Sequence, residues 1–271
     1  MSIVRRRRLI ASLVVLAALG GVAAANAGAG GAPTSRPSTP PGHAAAAGAP
    51  EPATEAPTVP VPTTSTPPTT APAEAPSPSY PLHRGVTATT FWVGEPGDGD
   101  NGYIPNSDST WDVHWLEHYG GVDDPRHRRG WLPAGFVPRE NPFYVALPYN
   151  DLDDNGQVKP SAAGIPWSAR RTSDHESIVK NTWVRIEHGG RVVYAQWEDA
   201  GPFGEDDFAS AFGHAAPRST INHSAGIDVS PAVQGYLGLD GLNQVDWRFV
   251  ERDGVPPGPW LDTVTTSGVD H

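Results

Sequence analysis

The chain has 271 residues, with 30 Gly, 30 Pro, no Cys and a formal net charge of -11. Without cysteine there is no disulfide, no thiolate catalysis, no cysteine-type zinc site and no lipid-anchoring cysteine. The acidic balance argues against sequence-independent binding to nucleic acid.

In chain order, Arg5 to Arg8 are followed by an apolar run over 9–25, and Ala25-Asn26-Ala27 offers small residues at a cleavage site. A basic start, a short apolar core and an A-x-A end predict a secretory signal peptide over 1–27. The alternative is an uncleaved signal anchor, since about 17 apolar residues is near the lower limit for spanning a bilayer. Either way the following domain is expected outside the cytoplasm, secreted, periplasmic or in the cell envelope, with no other membrane attachment. Residues 28–81 hold about half of the prolines, mixed with Ala, Thr and Ser. Such a segment cannot bury enough apolar surface to offset its ordering entropy and reads as a disordered linker. Residues 82–271 contain all nine tryptophans and suit one domain.

Within that domain, residues 87–93 (TATTFWV) and 143–149 (FYVALPY) are β-branched and aromatic and predict strands. Residues 182–187 and 191–198 alternate around His188-Gly189-Gly190 and predict a hairpin. Residues 226–229 predict a short strand, 244–251 a good one and 260–266 a weaker one. A helix is expected from the capping pattern at Ser109 to the stop at Gly120-Gly121. Another is expected from Ser230-Pro231 to Leu237, before Gly238. Short strands, many turns and two small helices predict a mainly β barrel.

Two acidic strand ends stand out. Trp197-Glu198-Asp199-Ala200-Gly201-Pro202-Phe203 closes the hairpin strand, and Gly226-Ile227-Asp228-Val229-Ser230-Pro231 runs into the second helix. In a regular strand Glu198 and Asp199 point to opposite faces, so only one of them is expected in a site. The bland reading of Asp228 is help in capping the helix.

The order hairpin strand, D-x-G-P-F, loop, I-D-V-S-P, helix, V-D-W-R-F-V resembles the double-psi β-barrel domain of the RlpA-like, expansin and family-45 endoglucanase group. The likeness spans roughly 143–250. It implies a six-stranded double-psi barrel, with short helices and an extra N-terminal segment, and a barrel core over about 143–251. It also implies action on a polysaccharide, peptidoglycan above all, either as a lytic transglycosylase or as a non-catalytic expansin-like binding module. Residue by residue it carries catalytic roles to Asp199 and Asp228. His175 matches only if the hairpin strand opens at Thr182; a rival alignment takes 143–148 as that strand. The family's Asn before the catalytic Asp is Glu198 here, its Arg after it is Ala200, and residues 82–141 have no counterpart.

Glycoside cleavage needs a carboxylic acid for the leaving oxygen, and a second carboxylate when water is activated. A lytic transglycosylase needs one group acting as acid and then base. Asp199, flanked by Trp197 and Phe203, is the expected acid, and Trp197, Phe203 and Glu198 are expected to contact substrate. No cofactor or metal is required. His114-Trp115-Leu116-Glu117-His118 fits a zinc-protease pattern, a third reading set against a plain surface helix. The acids at 151–154 and 205–207 could hold Ca²⁺ or simply be solvated. His214 and His223 bracket the loop before Asp228.

Overall fold

The computed structural model describes residues 80–99 and 101–268; the signal-peptide reading and nearly all of the linker reading lie outside them. In chain order the described elements are β1 (His83–Thr90), α1 (Trp115–Tyr119), β2 (Arg128–Arg129), β3 (Leu132–Pro133), β4 (Tyr144–Leu147), β5 (Trp183–His188), β6 (Arg191–Ala200), α2 (Phe208–Phe212), β7 (Ile227–Val229), α3 (Pro231–Leu237) and β8 (Asn243–Val250). The protein is mainly β. β2 and β3 form a small ribbon, and the other six strands close into a barrel in the order β1-β7-β4-β6-β5-β8.

Two of the contacts around the ring are parallel, β1 with β7 and β4 with β6, and the rest are antiparallel. The ring has an internal two-fold. Exchanging β1, β4 and β5 for β6, β7 and β8 returns the same neighbours with the same directions. This symmetry lies in the topology and leaves no repeat in the sequence.

Alternation sets the interior. Val193, Ala195 and Trp197 on β6, Val184 and Ile186 on β5, and Val245, Trp247 and Phe249 on β8 are buried in one core with Val145, Leu147, Ile227 and Val229. Gly189 and Gly190 both have positive φ, as the two-residue turn between β5 and β6 requires. A second apolar cluster lies on the outer face of β4, where Tyr144 and Ala146 meet Phe91, Val93, Trp115 and Tyr119. Phe91, Val93, Trp115, Leu116, Tyr119 and Phe136 therefore form a layer over β4.

The Ser230 helix forms as expected. Ser230 Oγ accepts the Val233 N–H at 3.3 Å, and Gly238 ends α3 in the left-handed conformation. The Ser109 helix is shorter than expected. Ser109 Oγ accepts from Trp111 N, while the Asp112 carboxylate takes the His114 N–H at 2.8 Å and His118 Nδ1 at 2.7 Å. Those bonds fold 109–114 into turns, and only Trp115–Tyr119 is helical. Residues 260–266 are not a strand. After a 3₁₀ turn at Pro259–Leu261 the chain runs as a strap, with Thr265 bonded to Gln196 and Asn141 and Ser267 bonded to Glu140. The helix α2 was not expected; Asp207 caps it through Ser210 N. Tyr80, at the end of the Pro-rich segment, is only 9% exposed, donates to Glu251 and packs edge-on against Trp167 and Phe249.

Candidate acid–base site

The site is built around Ala146 at the middle of the barrel wall. On one side Ala146 pairs with Asp199 of β6, and on the other with Asp228 of β7. Residues in register across neighbouring strands share a face, so both aspartates stand level with Ala146 and on its outer side. Two strand spacings of about 4.8 Å put their Cα atoms about 10 Å apart.

The placement of Asp199 depends on a β-bulge. Val145 pairs with Trp197 and Ala146 with Asp199, so Glu198 has no register partner on β4. The extra residue shifts the alternation by one. Trp197 stays in the core and Asp199 emerges on the outer face. Glu198 is on the outer side as well, among Asp112, Glu140 and Lys180, which corrects the expectation that the two acids must face oppositely.

The two carboxyls are held differently. Asp199 Oδ1 accepts backbone N–H bonds from Thr110 at 2.7 Å and Ala200 at 2.8 Å. Burial pushes its pKa up to about 6, with those bonds pulling down and Glu205 pushing up. Asp228 Oδ1 accepts from the Thr89 hydroxyl, whose oxygen in turn accepts from Asn222 Nδ2 at 3.0 Å. Burial raises its pKa to about 7, Thr89 lowers it, and the charge on Asp199 raises it. Hydrogen-bond donors favour the ionised form, and Asp199 has two backbone donors where Asp228 has one hydroxyl, so Asp228 is the more strongly raised of the two. The sequence expectation had given the proton to Asp199.

A third raised carboxyl was not singled out from the sequence. Glu95 Oε2 accepts from Asn106 Nδ2 at 2.8 Å, and burial followed by the charge on Asp228 raises its pKa to about 7. The loops around the three acids are tightly shaped. Asn222, His223 and Ser224 all have positive φ, a costly run for residues with a Cβ. Gly201 follows the bulge, and a Cβ there would sit 3.5 Å from Asp228 Oδ2, so the D-x-G turn passes directly beside the second aspartate.

The remaining expectations fare unevenly. Trp197 is fully buried against Trp111, Phe212 and Phe249 and cannot stack on a ligand; the interior face of β6 claims it. Glu198 is 1% exposed and neither of its oxygens has a hydrogen-bond partner, so it too is out of reach of substrate. Burial holds its pKa well above the ordinary carboxylate range. Phe203 is half-buried at the rim, its ring edge against Gly102. His175 lies on an exposed loop, where Nδ1 meets Gln157 Nε2 at 3.1 Å, and no described contact joins it to either aspartate.

His118 meets Asp112, and the 114–118 segment has little more than one helical turn. Among the described residues no group of three His, Asp or Glu side chains is placed to hold a metal ion. The loop acids have protein partners instead. Asp151 pairs with Arg171 at 2.7 Å, Asp206 with Lys159, and Asp207 caps α2. His214 lies near the buried His83 (ring centroids 6.4 Å apart), and His223 is exposed in the left-handed run.

No family model matches the chain, and no curated protein matches it. Among solved structures it is similar to the Streptomyces papain inhibitor (SPI), at 14% identity. That likeness covers 66% of this chain and 100% of the inhibitor, with a TM-score of 0.25. It is too distant to bear on the site.

Proposed function

We propose that this is an exported cell-envelope protein whose Asp199 and Asp228 do acid–base chemistry on a polysaccharide, peptidoglycan first, in the manner of an RlpA-like lytic transglycosylase. The observation that carries the reading is the pairing of both aspartates with the same residue, Ala146, on one face of the barrel. The motif order that resembles the RlpA-like, expansin and family-45 endoglucanase group points the same way.

In this mechanism Asp228 gives its proton to the glycosidic oxygen as the C1–O bond breaks. Its carboxylate then takes the proton of the sugar's 6-hydroxyl as O6 bonds to C1, which yields a 1,6-anhydro end and restores the acid. Asp199, fixed by Thr110 and Ala200, remains ionised. It keeps the proton on Asp228 before reaction and stabilises the positive charge that develops at C1.

A second reading is a non-catalytic, expansin-like polysaccharide-binding module. What favours it is that both aspartates already have protein donors, from Thr89, Thr110 and Ala200.

The test is release of 1,6-anhydromuropeptides from purified peptidoglycan. Loss of a positioned general acid costs about 10²–10⁴-fold in rate, and Asp228→Asn should lose that much while Asp199→Asn loses less. Ordinary reducing ends, with equal losses in both variants, would mean hydrolysis by a carboxylate pair. Binding to sacculi with no product over days would leave the binding module.

A further inference from the structure

We infer that Asn222 is a positioning residue of this site: its side-chain amide turns the Thr89 hydroxyl onto Asp228 and holds it there as a donor. The inference rests on the acid–base reading above and deepens it, because it names what fixes the acid that the reading invokes.

The contacts form a short relay across two strands and a loop. Thr89 lies in register with Asp228 in the parallel pair of β1 and β7, and its hydroxyl donates to Asp228 Oδ1. Asn222 Nδ2 donates to the same hydroxyl oxygen at 3.0 Å. A hydroxyl has one proton and two lone pairs, and by itself it rotates to suit its neighbours. The amide proton occupies a lone pair of Thr89 Oγ1, so the hydroxyl proton is left to face the carboxyl. Oδ1 is thereby committed as an acceptor, and Oδ2 is the oxygen left to hold the proton of the acid form. Among the described residues Oδ2 accepts no hydrogen bond. It faces the D-x-G turn, where Gly201 has no side chain to cover it; a Cβ there would lie 3.5 Å away.

The loop that carries Asn222 is shaped for this bond. Asn222, His223 and Ser224 have φ of 53°, 58° and 56°. Three left-handed residues in a row, each with a Cβ, store strain that persists only where the surroundings impose it. Two backbone bonds impose it. Ala225 N bonds Asn222 O at 3.0 Å, and Gly226 N bonds Thr87 O of β1 at 3.0 Å. Gly226 is pressed between Val86 and Pro217, where a Cβ would come within 2.8 Å and 2.7 Å of their side chains. The loop is thus tied to β1 two residues from Thr89. Asparagine suits position 222 twice over, as a residue that tolerates the left-handed region and as a donor. The titratable groups within electrostatic reach of Asp228 are Asp199 from β6 and Glu95 from the loop after β1, with no basic side chain among them. Substitution at Asn222 or Thr89 leaves both acids in place. Asn222 touches Asp228 only through the hydroxyl, which makes it a positioning residue.

The experiment is a ¹³C-carboxyl titration of the full chain with labelled Asp, the Asp228 signal being identified by its loss in Asp228→Asn. A donated hydrogen bond favours the ionised carboxyl, so its removal raises the midpoint. Thr89→Val keeps the shape and removes the hydroxyl, and should raise the Asp228 midpoint by about one unit. Thr89→Ser should hold it near wild type. Asn222→Gly removes the amide while easing the left-handed backbone. Its midpoint should rise by about half a unit, and the alkaline limb of the anhydromuropeptide pH profile should move up with it. In the Thr89→Val background Asn222→Gly should add nothing, because the amide acts only through the hydroxyl. A wild-type midpoint in Asn222→Gly overturns the inference whatever the activity. So does a shift that survives in the Thr89→Val background, since Asn222 then reaches Asp228 by another route. A midpoint that rises as expected in a protein that releases no product sustains the relay and faults the glycan reading instead.

Discussion

Asp228→Asn should make the protein more stable at neutral pH and leave it nearly unchanged in acid. The carboxyl has a folded pKa of about 7 against an ordinary 3.8. Between those values the unfolded chain gives up the proton and the folded chain keeps it. The folded state then binds more protons, so unfolding free energy falls as pH rises through that window. The full difference of about 3.2 units corresponds to roughly 4 kcal/mol at pH 8. The measured gain should be smaller, about 2–3 kcal/mol, because with Asp228 gone some of the remaining repulsion relaxes at Asp199 and Glu95. Asn still offers an acceptor to Thr89, so little is lost at pH 4. Urea unfolding of wild type and variant at half-unit steps from pH 4 to 8 gives the difference curve directly. Buried acids not coupled to Asp228 tilt both proteins alike and cancel. Two parallel curves would show that Asp228 is ionised in the folded protein at pH 5, and the assignment of the proton would fail.

Glu198→Met should raise stability by about 1–3 kcal/mol, and more as the pH rises, because a buried carboxyl without a partner is replaced by an apolar chain of similar size; a lowered melting temperature at every pH would show that the carboxyl has a partner. Tyr80→Ala should cost about 3 kcal/mol in urea unfolding, as expected for an aromatic wedged between Trp167 and Phe249. A cost under half a kcal/mol would return Tyr80 to the linker.

Much of the barrel was legible because each wall strand carries its own pattern. β8 alternates cleanly, β5 and β6 do so over much of their length, and the Gly189-Gly190 turn joins the last two with no long-range information needed. Asp199 and Asp228 were legible for a related reason: each lies at a strand end marked by a neighbouring Gly-Pro or Ser-Pro. What alternation could not reveal is the bulge at Glu198, since an inserted residue looks the same in sequence as one more step of the strand. It reverses the side on which every later residue emerges, and so brings Asp199 to the outer face. Trp197 misled because a tryptophan beside a catalytic motif reads equally well as platform or core, and only the closed interior decides. Glu95 was invisible for another reason. Its electrostatic neighbour Asp228 lies far along the chain, which no local window contains.

The order of strands around the ring also fixes an order of assembly. β1 has only β7 and β8 as neighbours, and both lie at the far end of the chain. During synthesis the first strand therefore emerges with nothing to pair with, and its row of N–H and C=O groups stays open until residue 250 has been made. The β5–β6 hairpin can form alone, β8 can then add to β5, and β4 to β6. Closing β1 into the gap needs the largest loop in the molecule, and so the largest entropic cost of any step. Because Thr89 arrives with β1, the hydroxyl that bonds Asp228 is in place only when the barrel closes. An incompletely folded molecule would carry Asp199 on its wall without the groups that restrain Asp228.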